Sequence, residues 1–170
     1  VLPVRPPVLC AGCSHRTVFY SLAKLKATVS GDIGCYTLGC VAPLNAMDST
    51  ICMGASIGAA FGMQKAGLKN RVAAVIGDST FTHSGMTGLL DCVNSNANVV
   101  VVISDNLTTG MTGGQDSAGT GKIEDICRGL GVHPDHVRVV VPLPKNMEEI
   151  KQILREEIEY KGVSVVIPRR

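Results

Sequence analysis

The stretch NVVVVISDN at 98–106 constrains this chain more than any other. Four valines and an isoleucine in succession leave no polar face, so a strand built from them must be covered on both sides, as the central strands of parallel sheets are. A second apolar run, RVAAVIGD at 71–78, precedes it, separated by a helical segment at 85–95. Residues 15–25 place Val18, Leu22 and Leu25 on one helical face behind Ser14 as N-cap, and ATVSGDIG at 27–34 reads as a strand running into a glycine turn. GASIGAAFGMQKAG at 54–67 is a small-residue helix that can approach a sheet closely. A helix at 122–130 and a strand at 137–141 follow. Asn146 and Glu149 then form a capping-box-like start to a helix whose stripe is Ile150, Ile153, Leu154 and Ile158, and VSVVI is the last strand. This alternation predicts an α/β fold over 1–170, a doubly wound parallel sheet with helices on both faces. Ligands are expected beyond the carboxyl ends of its strands.

A chain of 170 residues, 45% of them hydrophobic, can bury one sizeable core. Sixteen Lys and Arg against fourteen Asp and Glu leave a formal charge of +2, with no basic cluster interleaved with aromatics, so nucleic acid is not an expected partner. No window approaches the ~18 apolar residues of a membrane span. The N-terminal VLPVRPPVLC is too short and proline-rich for a signal peptide, and the expected location is cytoplasmic, away from membranes. Seven cysteines without export signals argue for reduced thiols or metal ligands rather than a disulfide framework.

IGDST and SDNLTTGMTGGQ leave successive strands at their carboxyl ends, so both reach one rim of the sheet. There the Asp78 carboxylate, the Asn106 amide oxygen and a carbonyl of the following loop are hard oxygen ligands of the kind Mg²⁺ takes. The N–H groups of Ser79 and Thr80, just ahead of a helix, are placed to meet phosphate. The competing reading is that Asp78 caps that helix and Asn106 closes a turn. Their separation by one helix and one strand, and the long glycine- and threonine-rich loop at 106–121, favour the ligand reading.

Gly77-Asp78 followed after one αβ unit by Asn106 resembles the thiamine diphosphate motif. GDSTFTHSGMTGL, DNLTTGMTGGQ and RPPVLCAGCSHR with GDIGCYTLG are similar, over nearly the whole chain, to the alpha subunits of indolepyruvate ferredoxin oxidoreductases, within the 2-oxoacid ferredoxin oxidoreductase family. The resemblance implies that Asp78, Asn106 and the Thr108 carbonyl hold the magnesium that carries the diphosphate, with Gly77, Ser79 and Thr80 beside it. Ser79 stands where glycine is commoner, keeping the N–H and adding a hydroxyl. The implied reaction is CoA-dependent oxidative decarboxylation of an aryl 2-oxoacid such as indolepyruvate, its electrons passing through iron–sulfur clusters to ferredoxin. An activating glutamate is expected from a pyrimidine-binding domain or partner subunit of an oligomer, since no candidate for it occurs here. A ferredoxin-like segment with repeated Cys-x-x-Cys is also absent from these residues. The chain therefore reads as a domain excised from a longer subunit and inactive alone.

By the same resemblance Cys10, Cys13 and Cys35 are three ligands of a [4Fe–4S] cluster. The fourth is expected outside these residues, and Cys40 is the only in-chain substitute with a loop position. Cys92 and Cys127 read as core residues, and Cys52 lies at a helix start. Cys35 and Thr37, in the turn after the first strand, count among the cofactor-binding residues. Met53 and Met111 either support the thiazolium ring or pack the core. His15 and His83 either face cofactor and substrate, as catalytic candidates, or serve as structural hydrogen-bonders. His133 and His136 read as solvent-facing. A non-oxidative thiamine diphosphate decarboxylase would use the same Asp78 and Asn106 without the cysteines. A non-catalytic module is the alternative of another class, either zinc on Cys10, Cys13, Cys35 and Cys40 or a bare iron–sulfur site. A nucleotide-binding module would need a Gly-x-Gly-x-x-Gly turn after the first strand, which is missing.

Overall fold

Six strands pair in parallel in a computed structural model that describes residues 2–68 and 72–170. In chain order the strands are β1 (Thr28–Gly31), β2 (Ser49–Thr50), β3 (Val72–Gly77) and β4 (Val99–Ser104). A separate antiparallel pair follows, β5 (Thr108–Thr109) and β6 (Gln115–Asp116), and then β7 (Val137–Val140) and β8 (Val163–Pro168). The spatial order of the main sheet is β2-β1-β3-β4-β8-β7. The helices are α1 (Ser14–Leu25), α2 (Ala55–Lys65), α3 (Asp78–Thr80), α4 (Met86–Asn94), α5 (Ile123–Gly129) and α6 (Met147–Glu159).

Every residue of β3, β4 and β8 is buried, as their unbroken apolar runs require. The pleat sends alternate residues of β4 to opposite faces. Val99, Val101 and Ile103 join Ile57 and Ala60 of α2, Leu89 and Cys92 of α4, and Ile123 and Cys127 of α5 in one core. Val100 and Val102 join Val18, Phe19 and Leu22 of α1 with Ile150 and Leu154 of α6 in the other. Burying side chains of this size contributes roughly 1.5–3 kcal/mol each, which fixes the helices to both faces. The doubly wound α/β fold read from the sequence is thus the observed one.

Several local expectations differ. Helix α1 takes Cys13, not Ser14, as its N-cap, and has no side-chain cap. Asn146 sits at the N-cap of α6, but its amide donates to the Val141 carbonyl at 3.0 Å and no capping box forms. The short edge strand β2 carries no strand signal in the sequence. Arg71, the first residue of the run read as a strand, lies outside the described residues. His136 is not solvent-facing: its ring stacks on Tyr160 at 3.4 Å, and its Nδ1 shares a hydrogen bond of 2.8 Å with Glu157. Glu157 is buried and also accepts from Arg138 at 3.3 Å, so a buried carboxylate draws its partners inward. Among the described residues no helix is long and apolar enough to cross a membrane.

Cys92 and Cys127 are fully buried, and burial pushes their thiols up to about 11 and about 12. Cys40 and Cys52 are exposed. Because the thiolate is the reactive form, alkylation of the native metal-free protein at about pH 8 is expected to modify Cys40 and Cys52 quickly and to spare Cys92 and Cys127 until the chain is unfolded. Peptide mass spectrometry reads this, and equal rates at all four would contradict the two-sided core.

Candidate functional site

The carboxyl ends of β1, β3 and β4 stand side by side, and each strand hands over to an aspartate: Asp32, Asp78 and Asp105. A cleft of about 470 Å³ opens over these ends. Of the residues predicted from sequence, Gly77, Asp78, Ser79, Thr80, Asn106, Thr108, Met53, Met111, Cys35, His15 and His83 all line it.

Asp78 is only 4% exposed. Its Oδ1 accepts the Ser79 N–H at 2.7 Å, whereas its Oδ2 is buried with no hydrogen-bond partner. Burial raises this carboxyl, the nearby Asp105 charge adds to the effect, and the Ser79 N–H opposes it. Ser104 on the cleft wall also has a buried hydroxyl that makes no hydrogen bond, and Ser117 stands close enough to Asp78 for its hydroxyl to favour the ionised carboxylate without reaching hydrogen-bond geometry. Buried oxygens left unpaired are costly, and a hard cation would satisfy them. Asn106 lines the same cleft, its Oδ1 accepting the Thr108 N–H at a long 3.4 Å. The donor set of one carboxylate, one amide oxygen and a backbone carbonyl therefore fits Mg²⁺.

The loop expected to be functional is partly ordered by its own hairpin. Thr108 and Thr109 pair with Asp116 and Gln115, and Ser79 Oγ meets Thr109 Oγ1 at 2.8 Å, tying the loop to the end of β3. After Asp78 the chain runs through a five-residue π-helical segment, Phe81–Gly85, before α4 begins. Such segments recur at functional sites because they re-aim side chains, and this one carries His83 to the cleft.

Met53 and Met111 are 57% and 71% exposed, so the core-packing alternative does not describe them. They form apolar edges of the cleft. His15 is 4% exposed, and desolvation holds its imidazole down to about 4, so it is neutral at physiological pH. Its Nδ1 is buried without a hydrogen-bond partner. Thr37 does not line the cleft; its hydroxyl accepts the Gly34 N–H at 2.9 Å and donates to the Asp32 carbonyl at 2.8 Å, closing the turn after β1.

Cys10 and Cys13 flank a turn in which the Cys10 carbonyl accepts the Cys13 N–H at 3.2 Å and Arg16 Nε at 3.2 Å. Cys35 is close enough to feel both thiols: burial raises its thiol most, then the charges of Cys13 and Cys10. Among the described residues, however, no three His, Cys, Asp or Glu side chains converge as metal ligands do.

Two residues of the site were not singled out from sequence. Tyr36 is pinched between Gly34 and Gly77, where a Cβ at either position would come within 2.5 Å of its ring. Its hydroxyl donates to the Ile33 carbonyl at 2.7 Å and lies 3.3 Å from Thr80 Oγ1, and burial pushes it up to about 12. The His15 ring stands edge-on to it at 5.9 Å. Asp32 is wholly buried. It accepts the Ile33 N–H at 2.8 Å, the Gly54 N–H at 2.9 Å to both oxygens, and the Ser56 N–H at 3.1 Å. This staples the start of α2, and with it Met53, to the end of β1. Gly31-Asp32 repeats the Gly77-Asp78 pattern, the one sequence signal that could have singled it out.

The chain is an α/β domain with a carboxylate, an amide and a threonine-lined loop gathered at adjacent parallel strand ends. Residues 32–167 match the family described as thiamine pyrophosphate enzyme, C-terminal TPP binding domain, and the chain belongs to that family. It is 45% identical to an indolepyruvate oxidoreductase subunit IorA of Archaeoglobus fulgidus, across 99% of this chain and 29% of the relative. It is 40% identical to the subunit of the same name in Pyrococcus abyssi, across 100% of this chain and 30% of the relative. The chain thus spans about three tenths of the length of these curated relatives. Among solved structures, a 2-oxoglutarate:ferredoxin oxidoreductase from Magnetococcus marinus superposes with a TM-score of 0.77 at 19% identity, covering 97% of this chain and 64% of that one. Benzoylformate decarboxylase from Polynucleobacter necessarius gives 0.67 at 17% identity, covering 99% and 33%. At these identities the two structures share the fold.

Asp32→Ala would leave the N–H groups of Ile33, Gly54 and Ser56 without acceptors. Hydrogen bonds to a charged group are worth about 1.5–3 kcal/mol each, so the variant is expected to lose at least that much stability in urea denaturation. A loss below about 0.5 kcal/mol, typical of a surface substitution, would show that the staple is dispensable.

Proposed function

We propose that this chain is the diphosphate-binding domain of a thiamine diphosphate-dependent 2-oxoacid ferredoxin oxidoreductase. Its substrates are indolepyruvate and related aryl 2-oxoacids, its acyl acceptor coenzyme A and its electron acceptor ferredoxin. The observation that carries the proposal is the buried, unpaired oxygen of Asp78 at a strand end adjacent to the one that leads into Asn106, both residues lining one cleft. The names of the curated relatives support the substrate class, and the name of the Magnetococcus marinus structure supports the reaction type.

When bound, thiamine diphosphate supplies the nucleophile and electron sink for decarboxylating a 2-oxoacid. The protein's own part is placement. Asp78, Asn106 and the Thr108 carbonyl would hold Mg²⁺, while the N–H groups of Thr80 and of Ser79, the latter donated here to Asp78 Oδ1, would be offered to phosphate at the start of the helical run. Met53 and Met111 offer apolar contact to the ring. His15, neutral because it is desolvated, can exchange a hydrogen bond with substrate without placing a charge beside it, and His83 faces the same space. Cys10, Cys13 and Cys35 would supply three thiolates to a [4Fe–4S] cluster once drawn closer together than the described residues hold them. A pyrimidine-binding domain or partner subunit of a cytoplasmic oligomer supplies the activating glutamate, so the 170 residues alone do not turn over. A non-oxidative decarboxylase shares this fold and is separated from the proposal by the cluster.

Calorimetry with thiamine diphosphate is expected to show binding only when Mg²⁺ is present, and Asp78→Ala is expected to abolish it. Unchanged affinity in that variant would remove Asp78 from the site.

Anaerobic reconstitution with iron and sulfide tests the cysteines. A form extended past Arg170 is expected to hold the more stable cluster by supplying a fourth thiolate. Equal stability in both forms, lost from the shorter on Cys40→Ser, would instead make Cys40 the fourth ligand.

A further inference from the structure

The loop that carries Asn106 and Thr108 leaves β4 after Asp105 and returns to the fold at α5, whose first turn contains Glu124. Its middle, 110–116, is exposed. Its tip is closed by contacts of its own, Thr112 Oγ1 donating to Gln115 Oε1 at 2.7 Å and Gln115 Nε2 to the Thr112 carbonyl at 2.8 Å, while Thr109 Oγ1 at its base meets Ser79 Oγ at 2.8 Å. A hairpin closed on itself in this way has little internal freedom, so beyond the Ser79 contact its direction depends on what holds its two stems.

One guanidinium holds both. Arg169, the residue after β8, donates through Nε to Asp105 Oδ2 at 2.6 Å. Through Nη1 and Nη2 it donates to Glu124 Oε1 at 2.7 Å and Oε2 at 2.6 Å, the parallel two-bond geometry that suits arginine and carboxylate. The main chain aligns this contact, because the Asp105 N–H donates to the Pro168 carbonyl at 3.0 Å and the Arg170 N–H to the Asp105 carbonyl at 3.1 Å. Asp105 is 1% exposed, and its second oxygen accepts the Leu107 N–H at 3.2 Å. That bond holds Leu107 at φ 62, the left-handed turn between Asn106 and Thr108. Glu124, drawn to Arg169, is held below the usual carboxylate range.

We propose that Arg169 is the positioning residue of the cofactor loop, a clamp that bonds the stem before the loop and the stem after it and so sets where Asn106 and the Thr108 carbonyl stand relative to Asp78. The inference rests on the proposed function for what the loop binds, but not for the clamp itself. Removing Arg169 would also leave Asp105 as a buried carboxylate without its cation, next to the unpaired Asp78.

The test compares the full chain with Arg169→Gln, Arg169→Lys and Glu124→Gln. The last leaves the Asp105–Arg169 bond in place and frees only the far stem. Two measurements are made: hydrogen–deuterium exchange without ligand, and affinity for thiamine diphosphate with Mn²⁺ as the cation. Arg169→Gln is expected to speed exchange across 106–121 while leaving α1 and α6 as in the parent. It is also expected to weaken cofactor binding roughly tenfold or more, the equivalent of one lost charge-assisted bond. Glu124→Gln should show the same pattern more weakly, and Arg169→Lys, which keeps the charge but not the fork, should recover part of it. Faster exchange spread evenly over the sheet, or cofactor affinity unchanged in Arg169→Gln, would overturn the clamp. Should the parent itself fail to bind thiamine diphosphate, the functional reading falls, and exchange confined to the loop still decides the clamp.

Discussion

Three aspartates at the ends of three adjacent parallel strands have to be accommodated in a sheet that is covered on both faces. Each sits almost out of reach of water, where an ionised carboxylate is tolerated only with partners. Asp32 finds them in backbone N–H groups from its own turn and from the start of α2. Asp105 finds them in the Arg169 guanidinium and the Leu107 N–H. Asp78 finds one, the Ser79 N–H, and its second oxygen is left without any. Two of the three carboxylates organise the walls of the cleft, and the third is the point at which the fold calls for something from outside.

The walls are set by the same economy. With Asp32 anchoring α2, the chain just before it brings Met53 to the edge of the cleft. Gly34 and Gly77 leave room for one buried tyrosine, and Tyr36 in turn forms the base on which His15 rests edge-on. The apolar edges and the neutral imidazole make a low-dielectric space next to a strongly polar one. A cofactor with a charged diphosphate and an apolar ring system has two such ends.

Much of this was readable in the one-dimensional pattern. The valine run of β4 demanded cover on both faces, and from that the parallel order and the carboxyl rim followed. Gly77-Asp78 and Asn106, one αβ unit apart, then had to meet. Other features were not readable, because they depend on partners distant in sequence. Asp105 carries no local sign that it pairs with a residue at the far end of the chain, since strand order alone makes β4 and β8 neighbours. His136 looked like a surface residue in a turn, yet the buried Glu157 and the flat ring of Tyr160 took it in. Met111 looked as suited to a core as to a cleft, and only the hairpin of its loop exposed it.

By itself, then, the sequence determined the alternation of elements, the burial of the central strands and the rim at which polar residues must gather. Those depend on period and composition, which act along the chain. Tertiary structure decided which carboxylate is satisfied and which is not. That choice turns on single hydrogen bonds, such as Arg169 reaching Asp105 rather than Asp78, and their geometry exists only once β8 has paired beside β4.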